Sequence, residues 1–347
     1  MKKTIIQKIF ISDETTTKSN FLWNTIGTGM LAAATMLFTV IVAHLSGEKA
    51  GGLFSFALTI GQWIGTIAYF ELRTFQVTDV ARRHSYAEYF YAKVFCCILA
   101  VLAGGGYIML RGGTVEKAFF IFLLCIYKIL DGYSDLYEGE LQRYGRIDVA
   151  GKLLFWRVAG GILILTAGIL LTQNLTVAVI AMIVYSLLMI FVVNEKALRV
   201  FEKGKLTFRK KEVGTVLIEC LPLFLSSFLN TYVYSASRMS VDKVLDARYQ
   251  LYYAAIFMPV MIINLFSTFV FKPLLSVMAE DYEQKRKRQF FLMIVKVCAI
   301  IVAVTVVCEI GAYLLGIPVL SILYGINLGA YKICLLYTSD AADDLTR

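Results

Sequence analysis

Four ionisable residues share one face of a predicted helix inside an apolar stretch: Lys128, Asp131, Asp135 and Glu138. At 100° per residue they fall within an arc of about 80°. Carboxylates held away from water can take up protons or Na⁺, and a lysine can pair with an aspartate three residues later. The spacing predicts one of two things. One is a polar cavity between helices that is used for transport. The other is a Lys128–Asp131 pair that only joins helices, with Asp135 and Glu138 reaching the cytoplasmic interface of the membrane.

The composition indicates which solvent surrounds this helix. Hydrophobic residues make up 59% of the 347, only 17% are charged, and the mean hydropathy is +0.70. A soluble domain has about 25% charged residues. Apolar stretches of about 20 residues, long enough to cross a bilayer core of about 30 Å, recur along the whole sequence. The composition therefore predicts an all-α polytopic membrane protein, in which the charged face must look into protein or water.

Lysine and arginine residues in the loops predict the orientation, because positive residues stay on the cytoplasmic side. The predicted spans place 23 of these residues on one side of the membrane and 6 on the other. The N-terminus lies on the richer side and is predicted to be cytoplasmic. The net charge of +9 sits in short loops between spans, so nucleic acid is not a predicted partner. The nine spans are 21–45, 51–72, 90–110, 118–138, 153–172, 175–194, 213–237, 251–275 and 291–315, with a tenth starting near Ile317.

A faint internal repeat predicts the domain organisation. Residues 39–64 align without gaps on residues 237–262, and the six spans that fit this offset would make the two halves parallel. The alternative is that any two membrane hairpins look alike. If the repeat is real, about three helices of the second half are missing from this chain. The predicted parts are a cytoplasmic segment 1–20, a first six-helix bundle 21–195, a basic cytoplasmic loop 196–212, an incomplete second bundle 213–334 and a non-native read-through tail 335–347.

Several kinds of chemistry find no support in the sequence. The seven cysteines show no CxxC spacing and lie in or beside apolar segments, so we interpret them as core residues. With only two histidines in the chain, we predict no metal site. No phosphate-binding glycine motif is present, and the three glycines at 104–106 lie within a predicted span. We therefore predict no cofactor and no catalytic residue.

Other predicted spans also carry ionisable residues: Arg157 in the fifth, Glu219 and Arg238 in the seventh, and Glu309 in the ninth. Each alone could be the end of a helix or one member of a buried pair. Together with the charged face of the fourth span, they predict a mixed-charge, water-accessible path.

Three segments resemble a known family. They are "FELRTFQVTDV" after the second span, "DLYEGELQRYGRIDVAGKLLFWR" across the fourth and fifth, and "YYAAIFMPVMIINLFSTFVFKPLL" in the eighth. The chain, from residue 20 to about 333, resembles the bacterial polysaccharide-transport, or O-antigen flippase-like, family of the multidrug/oligosaccharidyl-lipid/polysaccharide exporter superfamily. The resemblance implies two parallel six-helix bundles around a V-shaped cavity. It also implies movement of polyprenyl-diphosphate-linked glycans from the cytoplasmic to the outer leaflet of the bacterial cytoplasmic membrane.

The resemblance also implies partners, and the chemistry of the implied substrate lets us nominate residues by their depth in the predicted spans. A lipid diphosphate needs cations to bind it, and buried carboxylates would couple its movement to protons or Na⁺. The candidate substrate-binding residues are Arg73, Lys128, Arg157 and Arg238, and the candidate ion-coupling residues are Asp131, Asp135, Glu219 and Glu309. The alternative for Arg73 and Arg238 is that they anchor helix ends at the lipid head groups. The implied partners are the lipid-linked oligosaccharide, membrane lipids, a glycan polymerase and glycosyltransferases.

Two other functions remain open at the level of the sequence. One is a drug or metabolite antiporter of the same superfamily. The other, from a different class, is an integral-membrane glycosyltransferase or glycan polymerase. The short outer loops and the lack of an acidic site in a sizeable loop argue against that enzyme.

Overall fold

The computed structural model describes residues 10–11, 16–79, 82–259, 288, 291–295 and 311–331. Within these residues every regular element is helical, and the chain divides into two units, Met1–Gln250 and Leu251–Arg347. The helices of the first unit are α1 Thr17–Ser46, α2 Glu48–Tyr69, α3 Leu72–Thr78, α4 Tyr86–Arg111, α5 Val115–Arg143, α6 Ile147–Thr172, α7 Leu175–Leu188, α8 Glu195–Leu198 and α9 Lys210–Val244. A π-helical turn, Met189–Asn194, joins α7 to α8.

Six described stretches are long and apolar enough to cross a membrane, which confirms the prediction of an all-α, multi-pass membrane protein. They are α1, α2 with α3, α4, α6, α7 with α8, and α9. These match six of the nine predicted spans. Helix α5 matches the fourth predicted span but carries more charge than the other six, and both its polar and its apolar sides are buried. Protein rather than lipid therefore surrounds most of α5.

Glycines let α2 lie against α5 at short range. A Cβ atom on Gly61 would lie 2.7 Å from the carbonyl oxygen of Leu124, and one on Gly132 would lie 2.9 Å from the Cβ of Ala68. Gly61 and Gly65 form a GxxxG pattern, which is typical of membrane helices whose backbones approach closely. Because the two helices are so close, the charged face of α5 lies beside the C-terminal end of α2.

Helix α6 is held in a similar way against α1. A Cβ atom on Gly27 of α1 would lie 2.6 Å from the carbonyl oxygen of Gly151 on α6. The core beyond this contact contains an edge-to-face pair, Phe38 with Tyr127, at a ring-centroid distance of 5.9 Å. The packing places the first turns of α6 next to α5, and so brings Arg157 to the charged face.

Two consecutive residues in the left-handed region, Phe70 and Glu71, separate α2 from α3, with φ values of 47° and 52°. This conformation is uncommon for residues other than glycine. The Phe70 ring stacks on Phe224 of α9 at 4.2 Å, and a Glu71 carboxylate oxygen accepts a hydrogen bond from Ser227 at 2.7 Å. These contacts with α9 stabilise the turn. Helix α3 begins after the turn and places Arg73 next to α5.

Helix α9 corresponds to the first span of the predicted second bundle, and it packs on α2 and α4 within the first unit. At the C-terminal end of α9, Asp242 pairs with Arg111 and, at 2.7 Å, with Lys117. The division into two six-helix bundles stays a prediction. The described contacts of α9 join it to helices of the predicted first bundle.

The second unit is described in part. Residues 251–259 are helical, and a π-helical turn Ala312–Gly316 leads into α10, Ile317–Tyr324. The helical segment that contains Ile317 already includes residues 311–316, so a tenth span that starts near Ile317 stays a prediction. Most of the predicted spans 251–275 and 291–315 lies outside the described residues, and so does the predicted foreign tail 335–347.

Candidate functional site

The charged face of α5 is buried and fully surrounded by partners. The exposed fraction of Lys128, Asp131 and Glu138 is 6%, 1% and 2%. The Nζ atom of Lys128 lies 2.9 Å from Oδ2 of Asp131, so the pair predicted from their spacing is confirmed. Ions this deeply buried lose their hydration, so each must be compensated by a partner.

Arg157 of α6 supplies the first of these partners from another helix. It forms ion pairs with Asp131 and, through Nη2 at 3.3 Å, with Oε1 of Glu138. The two carboxylates are seven residues apart, so one guanidinium group bridges two turns of α5. Only 2% of Arg157 is exposed, so both pairs form away from solvent.

Arg73 of α3 is the second partner that another helix supplies to the carboxylates of α5. Its Nη1 atom lies 2.8 Å from Oε2 of Glu138 and 3.1 Å from Oδ1 of Asp135, and its Nη2 atom donates to Gln142 at 3.4 Å. The side chain of Arg73 is 24% exposed, more than that of Lys128, Arg157 or any carboxylate of the group. Glu138 thus lies between two arginines from different helices, and Arg73 is the member nearest to the outside.

A fourth cation, Lys93 of α4, was missed at the level of the sequence as a site residue. It is fully buried, and its Nζ atom donates to the carbonyl oxygens of Ala68 and Tyr69 at 3.2 and 3.0 Å. The last carbonyls of a helix lack intrahelical partners, and a lysine can satisfy them. The same Nζ atom lies 3.9 Å from Oδ2 of Asp135. Lys93 was counted only as a loop-side positive charge, and its sequence context alone gives no sign of these partners.

A short polar chain continues the site towards α7. Ser134 donates to Oε1 of Glu138 at 3.3 Å, and Asn194 donates to Ser134 at 3.0 Å. Asn194 is the last residue of the π-helical turn that follows α7, and its Oδ1 atom is buried without a hydrogen-bond partner among the described residues. Single π-helical turns occur often at functional sites. Neither Ser134 nor Asn194 was predicted from the sequence.

We call this group of side chains the buried network. If all are ionised, its four cations exceed its three carboxylates by one positive charge. Because each arginine already contacts at least two acceptors, an incoming anion could replace a carboxylate on a guanidinium group without leaving that group unpaired. The members are Arg73, Lys93, Lys128, Asp131, Ser134, Asp135, Glu138, Arg157 and Asn194.

The structure brings five of the eight predicted site residues into this network and places two elsewhere. Glu219 of α9 lies beside His84, with 3.3 Å between Oε2 and Nε2. Arg238, near the other end of α9, donates to the side-chain and backbone oxygens of Ser55 on α2 at 2.7 and 3.3 Å. Glu309 lies outside the described residues. Glu219 and Arg238 therefore belong to contacts between α9 and the other helices rather than to the buried network.

The geometry defines the class of protein and the kind of site: a multi-pass, all-α membrane protein with an ion-pair network buried among its helices. In the part of the chain that the structure describes, no group of three or more metal-ligating side chains converges. Comparison of the chain with protein-family models, with curated proteins and with solved structures gives no match.

Proposed function

We propose that this chain functions as a flippase, which moves polyprenyl-diphosphate-linked oligosaccharide across the bacterial cytoplasmic membrane by alternating access. The observation that carries the proposal is the arrangement of Arg73 and Arg157 around Glu138. A planar guanidinium group binds phosphate and carboxylate oxygens with the same bidentate geometry. A diphosphate could therefore take the place of carboxylates on both arginines, and it would be released when the carboxylates return.

The carboxylates would provide the coupling. When a diphosphate displaces Asp131 or Asp135 from its cation, the freed carboxylate is left buried and unpaired. Such a group gains by binding a proton or Na⁺, because either neutralises its charge. Substrate binding would thus favour ion uptake, and loss of the ion would favour return of the carboxylate and release of the substrate.

The orientation belongs to the same proposal. The N-terminus and the basic connection 196–212 would lie in the cytoplasm, and substrate would enter from that side. Arg73 supports this direction of entry, because it is the most exposed cation of the buried network and contacts Gln142 in the last turn of α5, the end that the loop charges predict to be cytoplasmic. Lys128 and Arg157 lie deeper and would receive the diphosphate next.

Transport measured in proteoliposomes tests the proposal. Purified protein would be reconstituted with a fluorescent polyprenyl-diphosphate oligosaccharide, and its transfer between leaflets would be followed with a membrane-impermeant quencher. Arg73→Ala and Arg157→Ala should each slow transfer by about tenfold or more, since a hydrogen bond to a charged group contributes about 1.5–3 kcal/mol. The matched control is Arg199→Ala, because Arg199 is 72% exposed and pairs only with Glu195 among the described residues.

Three results would decide between the functions. Loss of transfer in both network variants at equal expression, with the control unchanged, supports the flippase. Unchanged transfer in both would contradict it. Transport of a cationic drug in exchange for protons, driven by an imposed proton gradient and without any movement of the lipid, would instead identify an antiporter.

A further inference from the structure

A second charged feature lies apart from the buried network, where α5 ends and α4 begins. A cavity of about 320 Å³ opens here, and we call it the basic cavity. Its walls come from the segment before α4, from the last turn of α5 and from the connection between α8 and α9. The cations that line it are Arg82, Arg83, Arg143, Lys205 and Arg209.

Three carboxylates also line the basic cavity, but each already accepts hydrogen bonds inside the protein. Glu88 accepts from the backbone N–H of Ser85. Glu140 accepts from the side chains of Gln76 and Arg143. Glu202 accepts from the hydroxyl group of Tyr144. By contrast, no carboxylate among the described residues pairs with Arg83, Lys205 or Arg209. Asp79 is a fourth carboxylate, which pairs with Arg143 at 3.7 Å without lining the cavity. Among the described residues, the five cations of the lining still exceed these four carboxylates by one positive charge.

The backbone adds donors to this charge. Helix α4 begins at Tyr86 with Ser85 as its N-cap, and both Tyr86 and Ala87 line the cavity. The first N–H groups of a helix have no intrahelical partner, and the helix dipole makes this end partly positive. In α4 a capping box already engages two of these groups, because the Glu88 carboxylate accepts from the N–H of Ser85 and the Ser85 side chain accepts from the N–H of Glu88. Among the described residues, the N–H groups of Tyr86 and Ala87 and the guanidinium group of Arg83 remain as donors for phosphate oxygens.

We propose that the basic cavity binds a phosphate- or diphosphate-bearing ligand, at a site separate from the buried network. The ligand could be soluble or could be the head group of an anionic lipid, because both present the same oxygens. The inference does not depend on the flippase proposal, since binding at this site requires neither transport nor rearrangement of the buried ion pairs.

Calorimetric titration of the purified protein with inorganic pyrophosphate provides the first arm of the test. The protein would be held in nanodiscs of uncharged phosphatidylcholine, so that no lipid head group competes. The second arm measures binding of phosphatidylglycerol, relative to phosphatidylcholine, by native mass spectrometry. The test variant carries Arg83→Gln with Arg209→Gln, and the matched control carries Lys203→Gln with Lys211→Gln. Lys203 lies in the same connection and Lys211 in the first turn of α9, and both are exposed cations that do not line the cavity.

Pyrophosphate binding that weakens about tenfold or more in the test variant, and not in the control, supports a soluble phosphate ligand. Selective phosphatidylglycerol binding lost in the same variant supports a lipid head group. Equal behaviour of wild type, test variant and control in both arms would overturn the proposal. If the double variant were unstable, Lys205→Gln alone would replace it, since Lys205 is exposed and lines the same cavity.

Discussion

Oε2 of Glu138 lies 2.8 Å from Nη1 of Arg73, although 65 residues separate the two along the chain. The other carboxylate oxygen of Glu138 accepts from Arg157 and from Ser134. Glu138 is therefore the residue at which α3, α5 and α6 are joined by charge. Any motion that separates these helices must first provide new partners for two arginines.

Glu138→Gln should lower the free energy of unfolding by about 3–5 kcal/mol, because it leaves the buried Arg157 and the partly buried Arg73 without this carboxylate. Thermal unfolding in detergent would measure the change. The control Glu195→Gln removes a pair whose arginine is 72% exposed and should cost less than about 1 kcal/mol. Arg157→Met should cost less in the Glu138→Gln background than in the wild type, because the two residues interact. If the changes in unfolding free energy of Arg157→Met and Glu138→Gln simply added, Arg157 and Glu138 would not interact.

Asp131→Asn and Asp135→Asn should weaken the dependence of transport on the ion gradient, since an amide cannot take up a proton. Transfer of the fluorescent lipid in proteoliposomes would be compared with and without an imposed proton or Na⁺ gradient. The control, Asp246→Asn, changes a partly exposed carboxylate outside the buried network. If both variants keep the wild-type dependence, Asp131 and Asp135 serve only to hold the helices together.

Cysteine labelling should place the connection 196–212 in the cytoplasm and residues 172–176 outside, because 23 of the loop lysines and arginines lie on the first side and 6 on the second. Lys205→Cys should react with an impermeant reagent only after the membrane is opened, whereas Thr172→Cys should react in intact cells. Both positions are exposed at helix connections. Labelling of Lys205→Cys in intact cells would show that the predicted membrane orientation is wrong.

Gly61→Ala should lower the free energy of unfolding by about 1–3 kcal/mol, because its new methyl group would meet the Leu124 carbonyl oxygen at 2.7 Å and push α2 from α5. Gly105→Ala in α4 is the matched control, since the space around Gly105 is open. Thermal unfolding of both variants in the same detergent measures the difference. An equal effect of the two changes would mean that close packing of α2 on α5 is not required.

Asp79, which follows α3 outside the predicted spans, gives a prediction on pH. Burial acts to raise its pKa, but hydrogen bonds from the backbone N–H groups of His84 and Arg83, together with the charge of Arg143, outweigh this and lower it. A carboxylate with a lowered pKa stabilises the fold above its ordinary pKa of about 4, and this stability is lost as the pH falls through the lower value.

Asp79→Asn should therefore be less stable than the wild type at pH 7, and the difference should shrink as the pH is lowered below about 4. Urea unfolding in detergent at a series of pH values checks this. A difference that stays constant down to the lowest pH would show that the charge of Asp79 does not contribute.

The amino-acid sequence alone determined the class of protein, most of the described spans and one ion pair. Hydropathy and helical spacing are local properties, so a window of about 20 residues is enough to find α1 or α9, and three residues of spacing are enough to pair Lys128 with Asp131. The same local patterns predicted the charged face of α5. They also nominated Arg73 and Arg157, which lie in its neighbourhood.

Only the tertiary structure decided which charges meet. Lys93 reaches Asp135 from 42 positions away in the chain because α4 and α2 both pack against α5, and glycines set how close α2 can come. The sequence grouped Glu219 and Arg238 with the same polar path, but α9 carries them to His84 and to Ser55 instead. Ion pairing depends on distances of a few ångströms between side chains on different helices. These distances cannot be derived from the order of residues along one helix.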